Sequence, residues 1–381
     1  MKTNHTSKLN KQILIYLLGM FALLSSALLN KASASHMVGS DISYQCTGTP
    51  GVWHIKLAIY RDCQGIPLGT CTGGCGSSCS PYGAMTITGA DPSCNGTSFG
   101  TFMPYLTSVT DVNPNPNCPS AKSICTNMGC VTPGTYTPGV EKYVFEGDID
   151  LRNSAGIPAS CCMIRIAWTE CCRNSAITTG AAGNNFYIEA VINRCASMNP
   201  CNSSPDLSND PFAVLCGGQA FVFNNGAVDP DHDSLTYAFA PGLQAAGQSV
   251  TYNAPFAWDA PMPYTGAKNG PFPTGINCDP ITGDIMFTPA NGSGSSIVGV
   301  MAVEIKQWGY DANGNPVLLG ITRRDIQMWL ITCPPNNPPR IMTNPSNGNQ
   351  PKTYWEICAG NTLCFDVIAK DTDYYPFNSP P

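Results

Sequence analysis

Asp229, Asp231 and Asp233 stand at alternate positions in "DPDHDSLTY" (229–237). Three carboxylates within five residues repel one another unless water, backbone N–H groups or a cation lies among them. In an extended strand, residues i, i+2 and i+4 project to one side, so the spacing predicts a clustered acidic site. Calcium takes roughly six to eight oxygens, and carboxylates with backbone carbonyls suit it. The three aspartates are therefore the candidate metal ligands, with Ca2+ as the expected ion. Asp206, Asn209 or Asp210, just upstream, are candidates to complete the shell. An EF-hand loop is excluded, because counting from Asp229 puts Ser234 where Gly is required and Ala240 where Glu is required. The competing reading is an acidic turn whose side chains accept bonds from local N–H groups.

Other reactive constellations are sparse. His36, His54 and His232 are the histidines beyond the first 34 residues, and none sits in a nucleophile or metal motif. There is no GxSxG, no HExxH and no phosphate-cradling loop, so no catalytic or cofactor-binding residue is assigned and a non-catalytic chain is expected. Carboxylate pairs for glycoside hydrolysis meet only in three dimensions and stay open at this point. His36 reads as a residue at the start of a strand; a copper site with the terminal amine would require cleavage one residue earlier than the cut expected before Ser35. All 20 cysteines follow the first 34 residues, which in an exported chain reads as disulfides. "CTGGCGSSC" (Cys71, Cys75, Cys79) lacks the paired CxxC knuckles or histidines of a zinc site. Vicinal pairs, Cys161–Cys162 and Cys171–Cys172, bracket "MIRIAWTE". Neighbours on a strand face opposite ways, so each pair is expected to serve two different bridges.

The elements that would hold these residues are strands. Trp53, Ile55, Leu57 and Ile59 alternate against His54, Lys56 and Ala58. Ile164, Ile166 and Trp168 do the same, as do Phe186, Ile188, Ala190 and Ile192, and further on Ile326, Met328 and Leu330. Period two predicts half-buried strands, and the Gly, Pro, Asn and Asp clusters between them predict turns. "TGTPGV" (47–52) and "DANGNP" (311–316) read as hairpin turns, the second with Gly314 free to take positive φ. The expected fold class is all-β, with tandem antiparallel β-sandwich modules of Ig or cadherin type.

Composition bounds the rest. Residues 1–34 carry four Lys, an apolar run over 13–29 and a terminal "ASA", which predicts a signal peptide cleaved before Ser35. Without it the chain has 15 basic against 25 acidic residues, and no basic cluster stands anywhere. That balance argues against nucleic acid or anionic lipid as a partner. No later apolar stretch reaches spanning length, so no membrane span is expected in the processed chain. Polar, Pro-containing stretches at 199–211 and 333–340 divide the chain into a disulfide-rich domain at 35–200, a module at 201–333 and a further piece at 334–381.

A repeat links the last two. "LCGGQAFVFNNGAVDPD" (215–231) and "ICAGNTLCFDVIAKDTD" (357–373) align without gaps, matching Cys216 with Cys358, Gly218 with Gly360, Phe223 with Phe365, Asp229 with Asp371 and Asp231 with Asp373. Asp233 falls opposite Tyr375. Fixed-period similarity predicts tandem modules, with 334–381 as the incomplete start of another.

The opening "SHMVGSDISYQCTG…VWHIKLAIYRDCQG", with "ECCRNSAITT", "VDPDHDSLTYAF", "DPITGDIMFTP" and "ITRRDIQMWLITC", resembles large secreted Bacteroidetes proteins built from Ig-, PKD- or cadherin-like modules. The sequence departs from their pattern at Ser40 and His232, where Gly is usual. The resemblance implies gliding-motility-associated proteins sorted by type IX secretion. The expected function is adhesion or scaffolding outside the cell, with an extracellular protein or glycan as ligand. The alternative is the carbohydrate-binding accessory region of a secreted polysaccharide-degrading protein. In that case some of Trp53, Trp258, Trp308 and Trp355 should form an exposed stacking platform.

Overall fold

The computed structural model describes residues 37–62, 84–112, 125, 139–152, 156–197, 199–290 and 296–333, together with the backbone of 340–343 and 367–370. The signal-peptide segment, His36, Cys71, Cys75, Cys79, Trp355, Asp371 and Asp373 lie outside the described residues. Contacts group the chain into two compact units, Met1–Ile331 and Thr332–Pro381.

The fold is all-β. The N-terminal half contributes β1 (Met37–Cys46), β2 (Val52–Asp62), β3 (Met85–Gly89), β4 (Ser98–Phe102), β5 (Tyr105–Val112), β6 (Val140–Asp150), β7 (Met163–Glu170) and β8 (Phe186–Asn193). The C-terminal half begins with β9 (Asp206–Leu207), β10 (Phe212–Cys216), β11 (Phe221–Phe223), β12 (Ala227–Val228) and β13 (Ser234–Ala240). It continues through β14 (Leu243–Ala245), β15 (Gln248–Ser249), β16 (Ile276–Cys278) and β17 (Ile285–Phe287) to the long hairpin of β18 (Ile297–Tyr310) and β19 (Pro316–Ile331).

Most of these strands join one 14-stranded, largely antiparallel sheet whose main path runs β4-β3-β7-β8-β19-β1-β2-β6-β5. β19 joins the two halves. One of its edges pairs with β18 along its length. The other meets β8 at Gly320–Thr322, β1 at Arg324–Ile326 and, in parallel, β10 at Gln327–Ile331. Each half keeps its own apolar core: Trp53, Ile55, Leu57, Ile166 and Trp168 in one, Leu215, Ile285, Met301, Ile326 and Met328 in the other. The two halves expected as separate modules thus carry two cores joined through a shared strand.

Both expected hairpins form. β1 and β2 pair across Thr47–Gly51, with Gly48 and Gly51 at positive φ. The Asp311 carboxylate caps the β18–β19 turn by accepting from Asn313 N and Asn315 N, each at 2.8 Å. Strands expected to be half-buried are covered on both faces in places. Tyr187 and Glu189 of β8 are buried because β14 pairs alongside and Leu243 packs on Tyr187 and Ala167. Glu189 is matched there by Arg165, Arg323 and the Tyr187 hydroxyl. Ser40 is also enclosed, and its hydroxyl donates to Ala58 O (2.7 Å), which satisfies a polar group where Gly would need nothing.

The 199–211 stretch is not a free linker. Cys201 is bonded to Cys46, and Asn202, Ser203 and Ser204 are buried. Trp53 Nε1 donates to Asn202 O (2.8 Å), and Tyr44 and Ser204 exchange two bonds. The segment shows no apolar periodicity because it is held by polar contacts.

The vicinal cysteines behave in two ways. Cys161 bonds to Cys94 and Cys162 to Cys195, the two different bridges expected, although both residues precede β7. Cys171 and Cys172 bond to each other across a cis peptide, contrary to the two-bridge expectation. They follow the end of β7 at Glu170, where strand alternation no longer sets side-chain direction. Among the described residues Cys278 is a free thiol, pushed up to about 12 by burial.

In the second unit, β20 (Arg340–Thr343) and β21 (Val367–Lys370) form an antiparallel pair.

Candidate functional site

β12 delivers the chain to Asp229, and β13 leaves from Ser234. Between them the chain turns instead of extending. Asp229 is buried, and its Oδ1 accepts from the backbone N–H of Asp231 (2.9 Å) and of Asp233 (3.1 Å). His232 N donates to Asp229 O (3.3 Å), and His232 takes φ 63°. That left-handed conformation is one Gly adopts freely, and His is among the residues that tolerate it. The three carboxylates come together, their nearest oxygens within 4.8 Å of one another, through this turn and not through strand alternation.

The turn is anchored from below by a buried amide. Gln307 of β18 donates through Nε2 to Asp229 Oδ2 and to Ser203 O, both at 2.6 Å. Its Oε1 accepts from the Tyr44 hydroxyl (3.0 Å) and from Asn202 Nδ2 (3.2 Å). Ser203 N donates to Asp231 Oδ2 (2.6 Å). One side chain therefore ties together β1, the 199–211 segment, the acidic turn and β18. Burial pushes the Tyr44 hydroxyl well above its ordinary range, which keeps it a neutral donor.

These bonds divide the aspartates by role. Asp229 spends both oxygens on internal donors and orients the turn. Asp231 keeps one oxygen beyond its bond to Ser203. Asp233 Oδ2 is enclosed and has no hydrogen-bond partner among the described residues. Partial burial, with Asp229 and Asp231 beside it, pushes Asp233 up to about 6, against a smaller opposing effect of Asn199. The residues with oxygens to offer a cation are thus Asp231 and Asp233. The upstream candidates lie elsewhere: Asp210 accepts from Tyr60 (2.7 Å) and Lys142 (3.1 Å), and Asn209 donates to Asn224 O (2.8 Å). Asp206 pairs with Val228 and lines a separate polar cleft with Pro230, His54 and Lys56. Asn199, which the spacing did not single out, comes beside Asp231 and Asp233 instead.

The turn forms one wall of a cleft of about 330 Å³, and the end of β18, with Trp308 and Tyr310, helps line it. Of the other candidate platform residues, Trp53 is wholly buried and Trp258 is exposed away from this cleft. Tyr310, Tyr44 and Gln307 carried no motif signal. The one clue to Gln307 is a polar residue in step with Met301, Val303 and Ile305 on the apolar face of β18.

The fold and site define a disulfide-stapled all-β unit with a buried polar hub beneath an acidic turn. No protein-family model matches the chain, and neither the curated proteins nor the solved structures contain a significant match to it. Among the described residues no helix is long and apolar enough to cross a membrane.

Proposed function

We propose that the chain is a non-catalytic modular protein of the cell surface or secreted space, acting in adhesion or as a scaffold. In this reading it is kin to the Bacteroidetes surface proteins that its motifs resemble and is exported through its N-terminal segment. Residues 201–333 and the segment from 334 onward are successive Ig- or cadherin-like modules, the first of them joined to the N-terminal domain through β19.

The observation that carries the proposal is what the repeated residues do in the first copy. Cys216 is disulfide-bonded, Gly218 takes φ 77°, Phe223 packs in the second core and Asp229 organises the turn. These are positions that a backbone path requires, and they return in register at Cys358, Gly360, Phe365 and Asp371. β21 overlaps the stretch matching β12, and each pairs antiparallel with a strand upstream. A repeated set of such residues in the sequence supports an array of modules along the chain. The non-catalytic reading draws on the turn itself: its carboxylates spring from one loop, whereas glycoside hydrolysis needs two that flank the scissile bond.

The test is surface display. Epitope-tagged chain should be labelled and shaved by protease on intact cells of the encoding organism, and a deletion strain should lose attachment. A chain protected inside intact cells overturns the proposal. The accompanying ion is Ca2+, held by Asp231 and Asp233 with Asp229 orienting them. Calorimetric titration with calcium chloride should give heat that Asp233→Asn abolishes; absence of heat in the parent protein refutes the ion alone.

A further inference from the structure

We propose that the Cys46–Cys201 disulfide is a redox latch on the acidic turn: once a dithiol opens it, residues 201–204 come away and the turn loses its anchor, while both apolar cores stay folded. The bond joins the end of β1 to the 199–211 segment across 155 residues of chain. After Cys201 come Asn202, Ser203 and Ser204, all buried, and none of them brings an apolar side chain to hold the segment there. Polar groups trade water for protein partners with little net gain, while fixing each residue costs backbone entropy. An apolar segment would dock by itself; this one depends on the covalent tether that keeps it beside β1.

Ser203 carries the coupling. Its N–H donates to Asp231 Oδ2 and its carbonyl accepts from Gln307 Nε2, each at 2.6 Å. The same Gln307 Nε2 donates to Asp229 Oδ2, while Asp229 Oδ1 holds the turn through Asp231 N and Asp233 N. Cys46 N donates to Ser203 Oγ (3.2 Å), so the cysteine touches the coupling residue directly. Releasing Cys201 therefore withdraws Ser203 from Asp231 and from Gln307 together. The sulfurs are within reach of a reductant: Cys46 and Cys201 are both partly exposed, whereas Cys94 and Cys161, bonded inside the first core, are 8% and 0% exposed. In the reaction a thiolate of the dithiol bonds to one sulfur and expels the other as a thiolate; the second thiol then displaces the protein sulfur. The protein gains two thiols, and the dithiol is oxidised to its disulfide. Oxidising surroundings thus close the latch and reducing ones open it, independently of the ion and the surface role proposed above.

Hydrogen exchange of the full chain, read by mass spectrometry, tests the latch. The oxidised parent is compared with the parent after dithiothreitol, with alkylation mapping the opened sulfurs, and with a variant carrying Cys46→Ser and Cys201→Ser. Amides over 202–206 and 230–234 should exchange about tenfold faster or more when this bond is open, while β7 and residues 297–303 of β18 keep their protection. Reoxidation of the parent should restore the slow exchange. Unchanged exchange at both stretches in the variant, or faster exchange at 202–206 alone, would overturn the proposal. So would a Cys46–Cys201 bond that dithiothreitol leaves closed in the folded parent. Protection lost across β7 and β18 as well would overturn it too, since the bond would then be a staple of the whole fold.

Discussion

Replacing Gln307 tests whether one amide holds the two halves and the acidic turn together. Gln307→Met keeps the volume but removes four hydrogen bonds, to Asp229, Ser203, Tyr44 and Asn202. A bond to a carboxylate contributes about 1.5–3 kcal/mol and each neutral one about 1 kcal/mol, and every partner left behind is buried. The expected loss is about 4–6 kcal/mol, a large part of an ordinary domain's stability. Gln307→Glu keeps the shape but turns the donor into an acceptor facing a carboxylate and a carbonyl at 2.6 Å. Near neutral pH it should cost at least as much as Gln307→Met. As pH falls toward 5 its deficit should shrink, because the two facing carboxyls can then share a proton. Urea unfolding with disulfides intact measures both variants through tryptophan emission. Trp53 reports directly, since its indole bonds to Asn202, a partner of Gln307. Losses below about 1 kcal/mol in both variants, or a Gln307→Glu deficit that does not change with pH, would refute the hub.

Gly320→Ala should destabilise by about 2–4 kcal/mol in the same assay, because a Cβ there would collide with the Tyr44 hydroxyl that reaches Gln307. Asp233, near 6 in the folded protein and 3.8 in an open chain, keeps a proton that the unfolded state has released between those values. Its contribution to stability should therefore fall as pH rises from about 4 to 6 and stay level above. At full strength that difference is about 3 kcal/mol, and water in the open cleft should reduce it to about 1 kcal/mol. Subtracting the Asp233→Asn unfolding curves from those of the parent reads it out. His232→Gly should be neutral or stabilising by about 0.5 kcal/mol, whereas His232→Val should cost about 1–2 kcal/mol, as thermal melts would show. Arg173 and Asp325 form a buried two-bond ion pair at 2.8 Å, so Arg173→Met should cost about 3–5 kcal/mol by leaving Asp325 unmatched.

Apolar alternation made the strands of both cores legible, and so were the hairpins marked by Gly and Asn. The acidic cluster was legible as a cluster but not as a mechanism. The spacing of Asp229, Asp231 and Asp233 suits an extended strand as well as a turn, and only the bonds to Asp229 Oδ1 distinguish them. The packing of the 199–211 segment was not legible because polar burial leaves no periodic trace: Asn202, Ser203 and Ser204 look like solvent-facing residues until Tyr44, Trp53 and Gln307 are placed around them. The shared strand was illegible for another reason. Which strand an edge recruits is set by long-range pairing, and nothing local to β1 names β19 as its neighbour.

That pairing also governs the order of assembly. The Tyr44 hydroxyl waits for Gln307, 263 residues further along the chain, and β1 waits for β19 to close its open edge. Contacts so distant in sequence form slowly, and a strand edge without its partner invites pairing with other chains. During synthesis, the N-terminal half emerges as a sheet missing a middle strand and becomes complete only when the β18–β19 hairpin arrives. A truncation ending before Pro316 should therefore associate through its exposed edges instead of behaving as a smaller version of the protein.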